Sequence, residues 1–299
     1  MNILVSGLLN TETTAAVRGF PINYYPIDYP FFGVNTAVSG VAFNIAKALQ
    51  TLGDDVRLTS MTGSDFAAAY IRDTLRELGI SAEHIRTNLQ QTPASVVLYD
   101  PDGKRQIYCD LKDIQEASYD FDTAVLDGID LVVACNINFN RPLLHLAKEA
   151  GKTIATDVHV LSDIHDGYNR EFMEMADILF LSDETIGDSY YTFLQELAAT
   201  YPSRLIVLGR GSKGAALYAR QSGQIIDLPA VRADRVVNTV GAGDALFSAF
   251  LHYYAKDFEP VEALQRAQIF AAHKIAVSGA SNGFVTEAQI ELALKEETA

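Results

Sequence analysis

NTVGAGDALFSAFLHYYAKD, residues 238–257, is the most informative stretch of this sequence. Ala245, Phe247, Ala249, Phe250 and Tyr253 continue with helical character, which puts the turn Gly241-Ala242-Gly243 at a helix N-terminus. Two glycines let the backbone come close to a ligand, and the first-turn amides of a helix have no partner within it. With the helix dipole behind them, such amides make an anion site suited to a phosphoryl group. Asp244 lies just inside the turn, where a carboxylate can take a proton from an alcohol while the amides hold the phosphoryl side of the reaction. Taken alone, Asp244 also fits the plainer role of a first-turn acid favoured by the dipole.

Outward from this turn, short apolar runs alternate with amphipathic stretches. NILVS (2–6) ends at Gly7 and reads as a buried strand; GVAFNIAKALQTLG (40–53) spaces Val41, Ile45, Ala48, Leu49 and Leu52 as a helix stopped by Gly53. VRLTSMTG (56–63) reads as a strand and DFAAAYIRDTLRELG (65–79) as a second helix. The beat continues through 130–136, 141–151, 153–157, 172–182, 192–201 and 204–209. Strands alternating with helices on short connectors predict an α/β fold, a three-layer αβα sandwich on a mainly parallel sheet. No internal repeat or flexible linker interrupts it, so residues 1–299 read as a single domain.

Two stretches break the rhythm. Residues 11–38 carry Pro21, Pro26 and Pro30 among Tyr24, Tyr25, Tyr29, Phe31 and Phe32 without a helical period. In ASVVLYDPDGKRQIYC (94–109), two β-prone runs flank Asp102-Gly103, a hairpin signal. Neither stretch covers its own apolar residues. Together, at about 11–38 and 94–112, they predict one small antiparallel β flap, a lid over the main sheet or against another subunit; surface decoration is the alternative.

Composition narrows the partners. The 299 residues carry 38 acidic and 23 basic side chains, a formal net charge of −15, which gives no electrostatic reason to approach nucleic acid or an anionic membrane. Two cysteines, Cys109 and Cys135, make neither a disulfide scaffold nor a four-thiolate metal site. MNILVSGLLN lacks a basic n-region and reads as a strand rather than a signal peptide. The most apolar internal run, LVVAC at 131–135, is far below the ~20 residues of a membrane helix, so a cytoplasmic protein is expected.

NTVGAGDALFSAFL resembles the DTxGAGD signature of the ribokinase-like (PfkB) carbohydrate kinases. Three further segments match in the family's order. Gly7-Leu8-Leu9-Asn10-Thr11-Glu12 is similar to the opening strand and turn, with Glu12 in place of the usual substrate-binding Asp. Ser39-Gly40-Val41-Ala42-Phe43-Asn44 resembles the GGxxxN segment, and Gly209-Arg210-Gly211-Ser212-Lys213-Gly214 resembles the TxGxxG segment beside the nucleotide. The resemblance implies a transferase that moves the γ-phosphate of ATP to a hydroxymethyl group of a sugar. It assigns Asp244 as catalytic base, Gly241, Ala242 and Gly243 as anion hole, and Glu12, Gly40 and Asn44 to the sugar. Gly209, Gly211, Ser212, Gly214 and His273 fall to the nucleotide. An adenosine-like nucleoside kinase of the same family, or a ligand-binding relative that has lost turnover, are the alternatives. A nicotinamide dehydrogenase would need GxGxxG after the first strand, and SGLLNTE at 6–12 offers one glycine.

The departures concern metal ions. Asn238 stands where the signature has Asp, which loses a charge at a segment that helps relatives bind a monovalent cation; whether such a cation activates is left open. Ser278, Gly279 and Ala280 suit a loop whose carbonyls face it. The family's NxxE segment, tied to magnesium, aligns with Ser182-Asp183-Glu184-Thr185 out of register, so Asp183 and Glu184 are candidate water-mediated contacts to Mg²⁺ or simply a helix cap. Arg18, Lys104, Arg105 and Lys112 are the cations available for a substrate phosphate. Three of them sit near a hairpin tip where charge is ordinarily solvated, so a neutral polyol is expected. The lid's apolar composition predicts a homodimer.

Overall fold

The computed structural model describes residues 1–297. The chain opens with β1 (Asn2–Ser6) and leaves the main sheet for β2 (Asn10–Ala16) and β3 (Val34–Ser39). It returns through α1 (Val41–Leu52), β4 (Asp55–Thr62), α2 (Phe66–Leu78) and β5 (Ile85–Thr87). A second excursion makes β6 (Ala94–Tyr99) and β7 (Arg105–Asp110). Strands and helices then alternate as β8 (Leu131–Ala134), α3 (Arg141–Glu149), β9 (Thr153–Val160), α4 (Arg170–Met175), β10 (Ile178–Ser182), α5 (Tyr190–Thr200) and β11 (Leu205–Gly209). β12 (Ala215–Ala219) and β13 (Gln224–Leu228) complete the sheet, and α6 (Ala242–Ala255), α7 (Pro260–Ile275) and α8 (Glu287–Glu297) follow.

The helix ends follow the expected stop signals. Gly53 and Gly79 both adopt the left-handed conformation after α1 and α2, and the Asp65 side chain accepts from the Ala68 amide at the start of α2. The main sheet has nine strands in the order β13-β12-β11-β10-β9-β8-β1-β4-β5. From β5 to β11 every pairing is parallel; only the β11–β12–β13 edge is antiparallel. Alternate side chains supply the two faces. Ile3, Val5, Val133, Phe180 and Val207 pack with α1, α2, α6 and α7, whereas Leu4, Val132, Leu179 and Ile206 pack with α3, α4 and α5. This is the expected three-layer sandwich.

The two excursions meet as a four-stranded sheet in the order β3-β2-β6-β7. Its outer pairs are antiparallel, as expected, but the central pair, β2 with β6, is parallel. The α1–β4–α2–β5 passage between them brings the chain back to the same end of the sheet before β6 begins. In the main sheet, the chain runs from β1 to β4 on one side and to β8 on the other. A reversal of this kind opens a crevice at the carboxyl ends of the strands.

Candidate active site

Asp244, in the first turn of α6, stands at that crevice. Gly241 is the N-cap of α6 with φ +77°, and a Cβ placed on it would lie 2.2 Å from the Ala280 carbonyl oxygen, so the turn tolerates no side chain there. A Cβ on Gly243, by contrast, would meet open space. The Ala242 amide donates to the Thr239 carbonyl at 3.2 Å. Among the described residues no such contact is seen for the Gly241 and Gly243 amides, which makes them the freer donors of the expected anion hole.

The structure joins residues far apart in sequence. Asn44 Nδ2 donates to Asp244 Oδ2 at 2.7 Å, across 200 positions of sequence, and Asn44 Oδ1 is buried without a partner. Gly40, with φ +103°, lets the start of α1 press against the Leu8 carbonyl, 2.4 Å from where a Cβ would sit. Its missing side chain thus serves the chain's own β1–β2 connection and fixes Asn44. Glu12 on β2 is buried and accepts from Ser39 Oγ at 3.3 Å. Burial pushes its carboxyl above the usual range; Ser39 and Lys274 pull it down, and the nearby charge of Asp244 adds to the rise. Asp244 is likewise raised by burial, with Asn44, His159 and Lys274 working against the rise and Asp157 adding to it. A carboxylate raised in this way is a better proton acceptor for an alcohol.

The nucleotide-segment residues lie at the end of β11. Gly209 ends that strand, and Gly211–Lys213 make one 3-10 turn into β12, so the segment is also the hairpin its composition suggests. Gly214 packs on the Leu228 carbonyl, 2.0 Å from an added Cβ, which makes it a requirement of the sheet edge. Arg210 donates to Asp227 at 2.8 Å and lies over the Tyr190 ring at 3.6 Å. His273 is exposed on α7.

Asp183 and Glu184 each stand near an arginine. Asp183 lies 3.8 Å from Arg210 Nε, and Glu184 lies 3.6 Å from Arg105. Among the described residues no group of three His, Cys, Asp or Glu side chains converges as a metal cage.

Sequence reading set one group aside as solvated and passed over two others. Arg105, at the start of β7, does not float in solvent: its Nη1 donates to Thr239 Oγ1 at 2.6 Å, which brings a lid cation down onto the signature loop. β9 runs three residues beyond its expected end and carries Asp157 and His159 to the crevice rim. His159 has φ +59°, and its Nδ1 lies 3.3 Å from Asp157 Oδ2. Burial would keep this imidazole neutral, but Asp157 and then Asp244 outweigh it and raise its pKa to about 9. Lys274 is wholly buried beneath the turn. An Asp-x-His at the carboxyl end of a parallel strand was the available signal for the second group. The lid aromatics lie elsewhere: Tyr24, Phe31 and Phe32 are 88%, 85% and 99% exposed.

Comparison with known proteins gives the family and the fold. The family model described as pfkB family carbohydrate kinase matches residues 2–287. A fructosamine kinase of Bacillus subtilis is 25% identical over 270 residues, covering 89% of this chain and 91% of that one. Among solved structures, Arabidopsis thaliana ribokinase complexed with ribose and ATP superposes with a TM-score of 0.81 at 20% identity, covering 98% of both chains. A Burkholderia thailandensis nucleoside kinase in complex with inosine gives 0.81 at 21% identity, covering 99% of this chain and 98% of that one.

Proposed function

The chain belongs to the pfkB family of carbohydrate kinases, and on that premise we propose that Asp244 is the base and that the Gly241 and Gly243 amides hold the transferring phosphoryl group. The enzyme is a phosphotransferase that uses ATP to phosphorylate a sugar. In our reading, a hydroxymethyl group of the sugar gives its proton to the Asp244 carboxylate. Its oxygen forms the new P–O bond, and the bond to the bridging oxygen breaks to release ADP. Glu12 and Asn44 receive the sugar hydroxyls, and the end of β11 with His273 receives the nucleotide. The observation that carries this is the 2.7 Å contact between Asn44 and Asp244, which joins the proposed sugar contact to the proposed base at the mouth of α6.

Magnesium, the usual companion of ATP, neutralises phosphate charge in such reactions. Asp183 and Glu184 are already held by arginines, so we place the ion on the nucleotide rather than on this chain. A neutral sugar remains the favoured acceptor. Arg18 pairs with Asp28, Lys112 with Asp110, and Lys104 lies over the Phe20 ring, which leaves Arg105 as the lid cation directed at the site. A nucleoside is the second reading, as the inosine-bound neighbour suggests, although the exposed lid aromatics offer it no stacking wall in this arrangement. Residues 1–299 act as one catalytic unit in this proposal, with ATP as donor arguing for a cytoplasmic setting. Among the described residues no helix is long and apolar enough to cross a membrane. Two copies pair through the lid. The test is ADP formation over a panel of free sugars, sugar phosphates and nucleosides, with Asp244→Asn beside it. Turnover of a free sugar that disappears in the variant is expected; equal turnover in both proteins sinks the assignment.

A further inference from the structure

Beneath the anion-hole turn the protein carries a cation of its own. Lys274, in the last turn of α7, is completely buried, and its Nζ donates to the Asn238 carbonyl at 3.4 Å. Burial lowers its pKa to about 8. The charges of Asp244 on α6 and Glu12 on β2 hold it up against that loss, and Arg105 on β7 pushes it further down. At neutral pH the ammonium form dominates, and cations at the C-terminal turn of a helix are also favoured by its dipole.

The resemblance to ribokinase-like enzymes implies a monovalent cation at this end of the signature loop, and the residues here do not fit one. An alkali or alkaline-earth ion in a protein is held by a shell of ~6 or more oxygens. Asn238 is neutral, and its Oδ1 already accepts from the Val240 amide at 2.7 Å. Its carbonyl takes the Lys274 ammonium. In the facing loop, the Ser278 carbonyl accepts from Asn282 Nδ2 at 3.1 Å, and the Ala280 carbonyl is pressed against Gly241. Ile275 O accepts from both Val237 and Asn238, at 2.8 and 3.2 Å. Four oxygens at this turn, Asn238 Oδ1 and the carbonyls of Asn238, Ile275 and Ser278, thus already accept hydrogen bonds from the chain itself.

We propose that the Lys274 ammonium is the resident cation of this site, fixing the Asn238–Gly241 turn and offsetting the buried charge of Asp244, so that phosphoryl transfer here needs no dissociable monovalent cation. The inference rests on the kinase reading of the site. Lys274 has no surface through which to touch substrate, so it is a positioning residue: it acts through the turn and through Asp244.

The experiment compares the full-length protein in KCl, NaCl and choline chloride at equal ionic strength, reading thermal denaturation, calorimetric binding of ATP and, where turnover is found, kcat. All three readouts are expected to be the same in the three salts. A melting temperature, ATP affinity or rate that rises severalfold or by several degrees in KCl alone would overturn the proposal, with or without turnover. Lys274→Ala supplies the second arm. It is expected to lose ~10²-fold in kcat, the scale of removing one preorganised charge contact at a phosphoryl site, and to recover part of it in ammonium or potassium chloride. A folded Lys274→Ala with unchanged kcat would also overturn it. If no acceptor is phosphorylated at all, the kinase reading fails, while the denaturation and binding arms still decide the cation question.

Discussion

The floor of the site and the lid above it solve opposite problems. At the floor, Lys274 and Gly241 are locked between α6, α7 and the loop at Ala280, with the Asn238 polar groups engaged by their neighbours. In the lid, β7 is exposed along its whole length, and the connection from β2 to β3 leaves Tyr24, Phe31 and Phe32 in solvent. A floor that must meet phosphoryl charge tolerates no slack, since preorganised dipoles act only when they need not reorganise. Exposed aromatics of this kind are what the proposed pairing of copies would cover. In the proposed reading the phosphoryl chemistry and the sugar contacts fall to the buried region, and the pairing of copies to the exposed one.

That contrast can be broken at graded strength. The largest effect is expected at the floor: Asp244→Asn should lower kcat by ~10²–10⁴-fold, the range for a lost general base, measured as ADP release. Arg105→Ala tests whether the lid contributes charge to the floor. Removing its contacts to Thr239 and Glu184 should cost about 10²-fold in kcat, and an effect confined to KM would instead make Arg105 a sugar contact. Phe31→Asp with Phe32→Asp should convert a dimer to a monomer by sedimentation while leaving the melting temperature nearly unchanged, because neither side chain is buried. The smallest effect is a pH dependence. His159 binds its proton more tightly folded than unfolded, with a pKa raised from 6.5 to about 9. Its contribution to stability is therefore complete below about pH 6.5 and lost as pH rises through about 9. Lys274 has the opposite sign: its pKa falls from 10.5 to about 8, so the penalty for burying it is relieved between those values as pH rises. Melting temperatures of His159→Asn and the parent protein, compared from pH 6 to 9.5, should converge toward the alkaline end.

Legibility in the sequence followed the range of the interactions. α1 and α2 were readable because periodicity and their glycine stops are local signals. The turn at 241–243 was readable as a helix start because glycines ahead of an apolar helical period are a local signal. The parallel pairing of β2 with β6 was not, since two strands separated by a whole βαβ passage share no local signature. The loss of the Ala242 amide to Thr239 was equally hidden, as it depends on how tightly the turn closes. Arg105 was misread as solvated because a hairpin tip is ordinarily exposed; here the hairpin leans over the signature loop. Lys274 was passed over because a lysine on an amphipathic helix ordinarily faces water.

The parallel seam at the centre of the lid has one more consequence. Because β2 and β6 are bonded side by side, the two excursions form one stiff plate joined to the body at four chain crossings, next to residues 10, 39, 94 and 110. The crossing after Ser39 is Gly40, and Asn44 follows one helical turn later. Any tilt of the plate would act on the short segment that holds Asn44 against Asp244, and in the proposed reaction it would couple a sugar seated under the plate to the proton acceptor.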